Sequence, residues 1–187
     1  EFPEPVYSVY LRDNREYESG TLRFAYQSFT TPESIFDYDM EDRTRVLLKK
    51  REVLGGYDPS MYESERLFAT AEDGTEIPIS LVYRKDLRKE TGNPLYLSGY
   101  GAYGSSSDPW FSSNRLSLLD RGVIYGTAHV RGGGEMGELW YEQGSMLNKM
   151  NTFTDYIDSS EFLVSEGYAS PDGLVAVGGS AGGLLVG

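Results

Sequence analysis

The chain has 187 residues, no cysteine and a formal net charge of −12. The lack of cysteine excludes disulfides, thiolate metal sites and a cysteine nucleophile from this chain. The acidic balance argues against nucleic-acid binding, which depends on clustered Lys and Arg, and favours cationic partners. Acidic residues also keep proteins soluble, so the charge by itself does not choose a partner.

No apolar run approaches the roughly 20 residues that a membrane-spanning helix needs. The polar start, EFPEPVYSVYLRDNREYESG, does not resemble a secretory signal and is typical of the interior of a longer protein. We therefore expect neither a membrane partner nor a targeting segment here.

Residues 1 to about 85 alternate between strands and turns. Leu22, Phe24 and Tyr26 alternate with polar or small residues, which is the pattern of a half-buried strand. The predicted strands cover residues 21–29, 34–39, 45–50, 66–71 and 76–84. The middle pair predicts one hairpin, and the last pair predicts another around Gly74. Pro78 predicts that the final strand lies at a sheet edge or on a bulge.

After residue 85 the pattern changes, following a charged surface loop over 85–93. Apolar runs now alternate with glycine-rich turns and helical periodicity. The predicted elements are strands at 94–98, 123–130 and 174–177, and helices at 113–122 and 152–167. The strands before and after the longer helix are almost continuously apolar, which predicts a mostly parallel sheet in an α/β domain.

The longer helix carries start and stop signals. Thr152 with Asp155 resembles a capping box, and Gly167 suits the C-terminal cap. The face predicted to pack inward consists of Phe153, Tyr156, Ile157, Ser160 and Val164.

The segment 178–187, GGSAGGLLVG, contains Gly178-x-Ser180-x-Gly182. It follows a predicted strand and can start a helix, which is the context of a nucleophile elbow. Glycines on both sides leave room for the neighbouring strand and helix, and a helix N-terminus suits a developing oxyanion. The alternative is a glycine-rich strand–helix connection, such as one that grips a phosphate.

Two further turns, 99–104 (GYGAYG) and 132–137 (GGGEMG), match the spacing of a dinucleotide-binding fingerprint. In the first, Pro109 would interrupt the helix that must follow. In the second, the acidic residue about 20 positions later falls inside a predicted helix rather than at a strand end. We therefore interpret these glycines as allowing close backbone approach or sharp turns, and we expect no cofactor.

His129 is the only histidine in the sequence. In α/β-hydrolases the catalytic residues follow the order Ser, Asp or Glu, then His along the chain. His129 precedes Ser180, so we predict a structural histidine and not the general base. One histidine without cysteine also gives no reason to expect a metal site.

The sequence resembles the prolyl oligopeptidase family of serine peptidases, on the wording of three segments: 99–104, 111–144 (with HVRGGGE and WYE) and 149–187 (with NTF and GGSAGG). Within that family it is most similar to the oligopeptidase B branch, which cleaves short peptides after Arg or Lys. The resemblance implies the end of a β-propeller over 1–70. It also implies the first part of an α/β-hydrolase domain over 71–187, truncated just after the nucleophile.

Position by position, the resemblance makes Ser180 the nucleophile. It assigns the two oxyanion donors to the backbone N–H of Ala181 and the hydroxyl of Tyr100. A phenol is a strong donor to a negatively charged oxygen. Tyr103 would stand near the primary substrate pocket.

For substrate contacts beyond that pocket, the resemblance to the oligopeptidase B branch is less complete. The oligopeptidase B branch uses an acidic pair near this turn to bind basic residues of the substrate. Asp108 holds the first position of that pair, but Trp110 stands at the second, where an aromatic face can still hold a guanidinium. The resemblance places the triad Asp and His after residue 187, and gives Arg131 and Glu135 a structural task in their loop.

The expectation is therefore a cytoplasmic serine oligopeptidase that acts on short, basic peptides without a cofactor. We expect this chain alone to be inactive because it lacks the acid and the base. The alternatives are another α/β-hydrolase, such as an acylaminoacyl peptidase or an esterase, and a non-catalytic hydrolase-like scaffold.

Overall fold

A computed structural model describes residues 2–187, which form two β-sheets. The first sheet is antiparallel and has the strand order β1-β2-β3-β4. Its strands are β1 (Tyr7–Leu11), β2 (Thr21–Ser28), β3 (Ser34–Asp39) and β4 (Arg45–Lys50). Each strand pairs with its neighbour in sequence, so the predicted strand at 21–29 and the hairpin that follows are confirmed.

The second sheet has five strands in the order β5-β6-β8-β7-β9. They are β5 (Tyr62–Thr70), β6 (Glu76–Arg84), β7 (Asn93–Gly99), β8 (Ile124–Ala128) and β9 (Ala169–Val177). The predicted hairpin of β5 and β6 is confirmed, and β6 also pairs antiparallel with β8. The predicted parallel pairing holds for β7, which runs parallel to both β8 and β9.

Within residues 2–187, four α-helices accompany the second sheet: α1 (Ser113–Leu119), α2 (Glu138–Glu142), α3 (Met150–Ser165) and α4 (Ala181–Val186). The end of α3 was predicted correctly. Gly167 has a φ of 71°, and its N–H donates to the carbonyl of Val164 at 3.1 Å. The N–H of Tyr168 donates to the carbonyl of Leu163 at 2.9 Å, which completes a Schellman motif.

The start of α3 corrects the sequence interpretation. The helix begins at Met150 with Lys149 as its N-cap, so Thr152 and Asp155 lie inside the helix and do not form a capping box. Both side chains reach across to Arg131 instead: the hydroxyl of Thr152 donates to its carbonyl at 2.7 Å, and Asp155 accepts from its guanidinium at 2.6 Å. A tertiary partner has replaced the local one.

The buried face of α3 is also rotated relative to the predicted face. Its fully buried residues are Thr152, Asp155, Tyr156, Ser159 and Leu163. Ile157, which was predicted to point inward, is 54% exposed. The stripe is therefore partly polar, and apolar periodicity alone could not locate it.

The prediction that Pro78 lies at a sheet edge or bulge was wrong. Strand β6 lies between β5 and β8, and Pro78 is in regular register with Phe68. The carbonyl of Pro78 accepts from the N–H of His129 at 2.9 Å, one residue after β8 ends. Proline is tolerated there because the β8 ladder has already finished.

The two sheets meet around Arg115 of α1, which is 6% exposed. Its guanidinium carbon lies 4.0 Å from the ring centre of Tyr125, 4.8 Å from that of Phe29 and 5.2 Å from that of Trp110. Phe29 follows β2 and Tyr125 belongs to β8, so one buried cation contacts aromatic rings from both regions.

The predicted domain division at residue 70 stays a prediction. By strand pairing, residues 62–70 belong to the second sheet, and the last strand of the first sheet ends at Lys50. Within residues 2–187, no helix combines the length and the apolar character required to cross a membrane.

Candidate active site

Ser180 occupies the turn between β9 and α4, which is the strand–turn–helix arrangement expected from the sequence. Its backbone has φ 56° and ψ −120°, a conformation that is costly for a residue with a side chain. The side chain is exposed. Strain at an exposed serine directly before a helix is typical of a turn that presents the hydroxyl for reaction.

Two glycines of this turn, Gly178 and Gly182, have no space for a side chain. A Cβ on Gly178 would overlap the carbonyl of Gly182, and a Cβ on Gly182 would overlap the carbonyl of Gly99. The spacing Gly-x-Ser-x-Gly is therefore required by backbone contact inside the turn and with β7.

The contact between Gly182 and the carbonyl of Gly99 places Tyr100 at the same end of the second sheet as Ser180. β7 and β9 are adjacent and parallel, so the residues that follow them emerge together. The Cα of Tyr100 lies 3.5 Å from the position that a Cβ on Gly182 would take. Among residues 2–187, the N–H of Ala181 finds no hydrogen-bond acceptor, as expected in the first turn of a helix.

Tyr103 lies beside Tyr100, with 6.5 Å between the ring centres. It has a positive φ of 59° and is 78% exposed. The structure therefore groups Ser180, Ala181, Tyr100 and Tyr103 at one end of the second sheet.

Asp108 and Trp110 lie in two other depressions. Asp108 lines a cavity of about 300 Å³ together with Arg66 and His129. Trp110 lines a separate cavity of about 340 Å³. The guanidinium of the chain's own Arg115 lies over the Trp110 ring, so that face is already used.

The two glycine-rich turns pack on each other, backbone against backbone. A Cβ on Gly132 would overlap the carbonyl of Gly101, and a Cβ on Gly134 would overlap that of Gly104. The N–H of Gly104 donates to the carbonyl of Gly132 at 3.1 Å. The interpretation of these glycines as points of close backbone approach agrees with this arrangement.

A buried ion pair supports the 131–135 loop, named the RGGGE loop below. Arg131 is 3% exposed and Asp155 is fully buried. The Nε of Arg131 lies 2.9 Å from Asp155 Oδ2, and Nη2 lies 2.6 Å from Oδ1. The guanidinium also binds Asp73, and this hydrogen bond, together with hydrogen bonds from Thr75, lowers the pKa of Asp73 to about 2.

His129 is held inside the protein by two partners. It is 2% exposed, with Nε2 2.6 Å from Ser80 Oγ and Nδ1 3.3 Å from Glu135 Oε1. Burial raises the pKa of Glu135, but hydrogen bonds from His129 and the N–H of Ser107 outweigh this effect and leave that pKa low. Both ring nitrogens of His129 are engaged, in agreement with a structural role for it and for Glu135.

Sequence reasoning missed Lys149. Its Nζ lies 2.5 Å from the carbonyl oxygen of Gly101, next to Tyr100. Lys149 and Gly101 are separated by 48 positions in the sequence, and no local pattern indicates a contact between them.

Two protein-family models match separate parts of the chain. The model of the prolyl oligopeptidase family matches residues 109–187. The model of the prolyl oligopeptidase N-terminal beta-propeller domain matches residues 1–51. The predicted fold class, an α/β-hydrolase sheet preceded by propeller strands, is thereby confirmed.

Individual relatives are similar along nearly the whole chain. Dipeptidyl aminopeptidase BI from Pseudoxanthomonas mexicana is 50% identical over 185 residues, which are 98% of this chain and 25% of the relative. Oligopeptidase B from Leishmania major has a TM-score of 0.90 at 47% identity and covers 99% of this chain and 26% of that structure. The closed form of oligopeptidase B from Trypanosoma brucei, with covalently bound antipain, has a TM-score of 0.92 at 46% identity, with coverages of 100% and 27%.

The chain thus spans about a quarter of the length of the curated relatives it matches. The RGGGE and GGSAGG turns lie inside the range matched by the first family model, and the similar relatives extend over the GYG turn as well. The chain belongs to the prolyl oligopeptidase family of serine peptidases.

Proposed function

We propose that the protein containing this chain is a serine oligopeptidase in which Ser180 attacks the scissile carbonyl. The observation that carries the proposal is the strained, exposed conformation of Ser180 at the sheet edge that it shares with Tyr100. Family membership supports the reaction class, since both matched models describe prolyl oligopeptidases.

The proposed mechanism uses two donors for the oxyanion. As Ser180 Oγ forms its bond to the carbonyl carbon, negative charge develops on the carbonyl oxygen. The N–H of Ala181 and the hydroxyl of Tyr100 would donate to that oxygen, and such donors stabilise the transition state strongly in a water-poor site. The acyl-enzyme that results is then hydrolysed.

The base in this mechanism is not His129. Its ring nitrogens face Ser80 and Glu135 inside the protein. We therefore propose that the histidine that takes the proton of Ser180, and the aspartate that orients it, lie in the part of the full-length protein beyond Gly187.

The proposed substrates are short peptides with basic residues. An acidic chain attracts cationic substrates. Asp108 is exposed, in the segment between β7 and α1. Tyr103 is the proposed wall of the primary pocket, and Trp110 presents an exposed edge beside its Arg115 contact. We further propose that residues 1–70 end a propeller that restricts access to short peptides, that no cofactor takes part, and that the enzyme acts in the cytoplasm.

The test uses a full-length protein that contains this chain and fluorogenic peptides with Arg, Lys, Pro or Ala before the cleaved bond. Ser180→Ala should lower kcat/KM by about 10⁴-fold or more, because the nucleophile is lost. Ser117→Ala, at an exposed position of α1, is the matched control and should retain activity.

Peptides with free and with blocked amino termini should be compared in the same assay, since one relative is named an aminopeptidase. Simple acyl esters in the panel separate a peptidase from an esterase. Peptide cleavage that survives Ser180→Ala would refute the proposed mechanism, and equal rates for Arg and Ala peptides would refute the basic preference.

A further inference from the structure

Lys149 contacts the backbone of the turn that carries Tyr100. It is the N-cap residue of α3, and its Nζ donates to the carbonyl of Gly101 at 2.5 Å. A second hydrogen bond joins Nζ to Thr152 Oγ1 at 3.1 Å. The ammonium group therefore links α3 to residues 99–101, the GYG turn.

Both polar partners of the Lys149 ammonium are uncharged. Within residues 2–187, no carboxylate lies within salt-bridge distance of Nζ, and burial lowers the pKa of Lys149. A partly desolvated cation gains most from a strong acceptor, and here that acceptor is the carbonyl of Gly101. The interaction is thus directional and specific to one peptide group.

Gly101 itself has little freedom to move away from this contact. It has a φ of 61°, and a Cβ there would lie 2.6 Å from Val130 Cγ2 and would overlap Thr152 Cγ2. Its carbonyl is held between the ammonium of Lys149 and the backbone of Gly132. This carbonyl belongs to the peptide group between residues 101 and 102, so the contact anchors the chain one residue after Tyr100 and limits how far the Tyr100 backbone can move.

We propose that Lys149 is a positioning residue for the reaction, holding the GYG turn so that the Tyr100 hydroxyl points at the oxyanion. This inference rests on the proposed function of Tyr100. Oxyanion donors act through pre-set geometry, so a small displacement of the hydroxyl affects the transition state more than substrate binding.

The test is a double-mutant cycle in the full-length protein with an Arg-containing peptide. Lys149→Met keeps the aliphatic stem and removes the donor, and kcat should fall roughly tenfold or more with KM changed by less than about threefold. In a Tyr100→Phe background the same substitution should lower kcat by less than about threefold, because the hydroxyl that it positions is absent.

Lys89→Met is the matched control. Lys89 is exposed and precedes β7, at the opposite end of the strand that leads into the GYG turn, so kcat should not change. Lys149→Gln, which keeps an N–H donor but no charge, is the second variant if Lys149→Met does not fold. Its kcat should lie between those of the wild type and Lys149→Met, and its effect should again depend on Tyr100.

Equal losses of kcat with and without the Tyr100 hydroxyl would overturn the positioning role and leave Lys149 a general structural residue. Unchanged kcat in folded Lys149→Met would overturn it as well. If Tyr100→Phe alone leaves kcat unchanged while Ser180→Ala abolishes cleavage, the oxyanion assignment fails instead, and the two failures are thereby distinguished.

Discussion

The two sheets differ in how far apart in the sequence their paired strands lie. In the first sheet every strand pairs with its neighbour in sequence, and the whole of β4 is exposed, with Val46 at 62% and Leu47 at 50%. In the second sheet β7 lies between β8 and β9, so segments distant in sequence meet at one edge. The residues proposed to act in catalysis follow strands of the second sheet, where the carboxyl ends of the parallel strands β7 and β9 converge.

Glycines show the same contrast. No atom outside the neighbouring residues lies within 4 Å of the position that a Cβ on Gly20 would take, whereas Gly132, Gly134 and Gly182 each face a carbonyl oxygen of a distant segment. Glycine in the first region allows the chain to turn, and glycine around the site allows two backbones to touch. The predictions below test this contrast from the largest effect to the smallest.

The largest effect is expected from the buried ion pair of Arg131 and Asp155, in the part of the molecule that contains the second sheet. Asp155→Asn removes the buried charge partner of Arg131 and leaves it only the half-exposed Asp73, which should lower the free energy of unfolding by about 3–5 kcal/mol. Asp37→Asn removes the partner of the half-exposed Arg23 in the first sheet and should change the free energy of unfolding far less, because solvent screens an exposed ion pair. Urea unfolding of the full-length variants, followed by circular dichroism, measures both. Similar losses would show that burial does not separate the two regions.

The next effect concerns catalysis. Tyr100→Phe removes a single hydroxyl at the sheet edge and should lower kcat by about 10²-fold or more, the usual loss for one oxyanion donor. Tyr17→Phe changes a fully exposed tyrosine of the first region and should leave kcat as it is. Steady-state kinetics with an Arg-containing peptide measure kcat of both variants. An unchanged kcat in Tyr100→Phe would remove Tyr100 from the mechanism.

A smaller effect is expected from adding one methyl group. Gly134→Ala forces a Cβ against the carbonyl of Gly104 and should destabilise the protein by about 1–3 kcal/mol through overpacking. Gly20→Ala has open space, and should be neutral or stabilise by up to about 1 kcal/mol because the unfolded chain loses freedom. Urea midpoints of the two variants provide the measurement. A neutral Gly134→Ala would contradict the tight contact between the two turns.

The smallest effect is a pH dependence from Asp73. Hydrogen bonds from Arg131 and, to a smaller extent, from Thr75 lower the pKa of Asp73 from 3.8 to about 2 in the folded state. A carboxyl group with a lowered folded pKa stabilises the fold above its unfolded pKa, and that contribution is lost as pH falls from about 4 to about 2. Asp73 is half-exposed, at 51%, so solvent screening keeps the contribution small.

The measurement for Asp73 is a comparison of urea midpoints across acidic pH. The wild type should exceed Asp73→Asn at about pH 6, and the difference should shrink as pH approaches about 2. A difference that stays constant over this range would show that the Asp73 carboxylate does not contribute through its charge.

Much of the fold could be predicted because its signals are local. The alternation at Phe24 and Tyr26, the turn at Gly74 and the C-cap at Gly167 each express a preference that a few neighbouring residues decide. The elbow around Ser180 could be recognised for the same reason, since its glycines and its strand–helix context lie within ten residues.

The remaining features depended on partners far along the chain. Thr152 and Asp155 have the spacing of a capping box, but Arg131 offers them a buried partner and the helix begins earlier. Ile157 is exposed because the face of α3 that packs inward is selected by these polar contacts. Pro78 fits in the central strand β6 because the neighbouring strand β8 ends beside it.

The sequence by itself therefore determined most of the strands, two hairpins and the strand–turn–helix arrangement around Ser180, since backbone propensity and side-chain periodicity act over a few residues. Strand β1 and helix α2 were not predicted. Only the tertiary structure decided that Lys149 reaches Gly101, that Arg131 pairs with Asp155 and that the glycine turns touch. Those contacts join segments that are far apart in the sequence, and they depend on the pairing of buried charges and on close backbone packing, which no local pattern encodes.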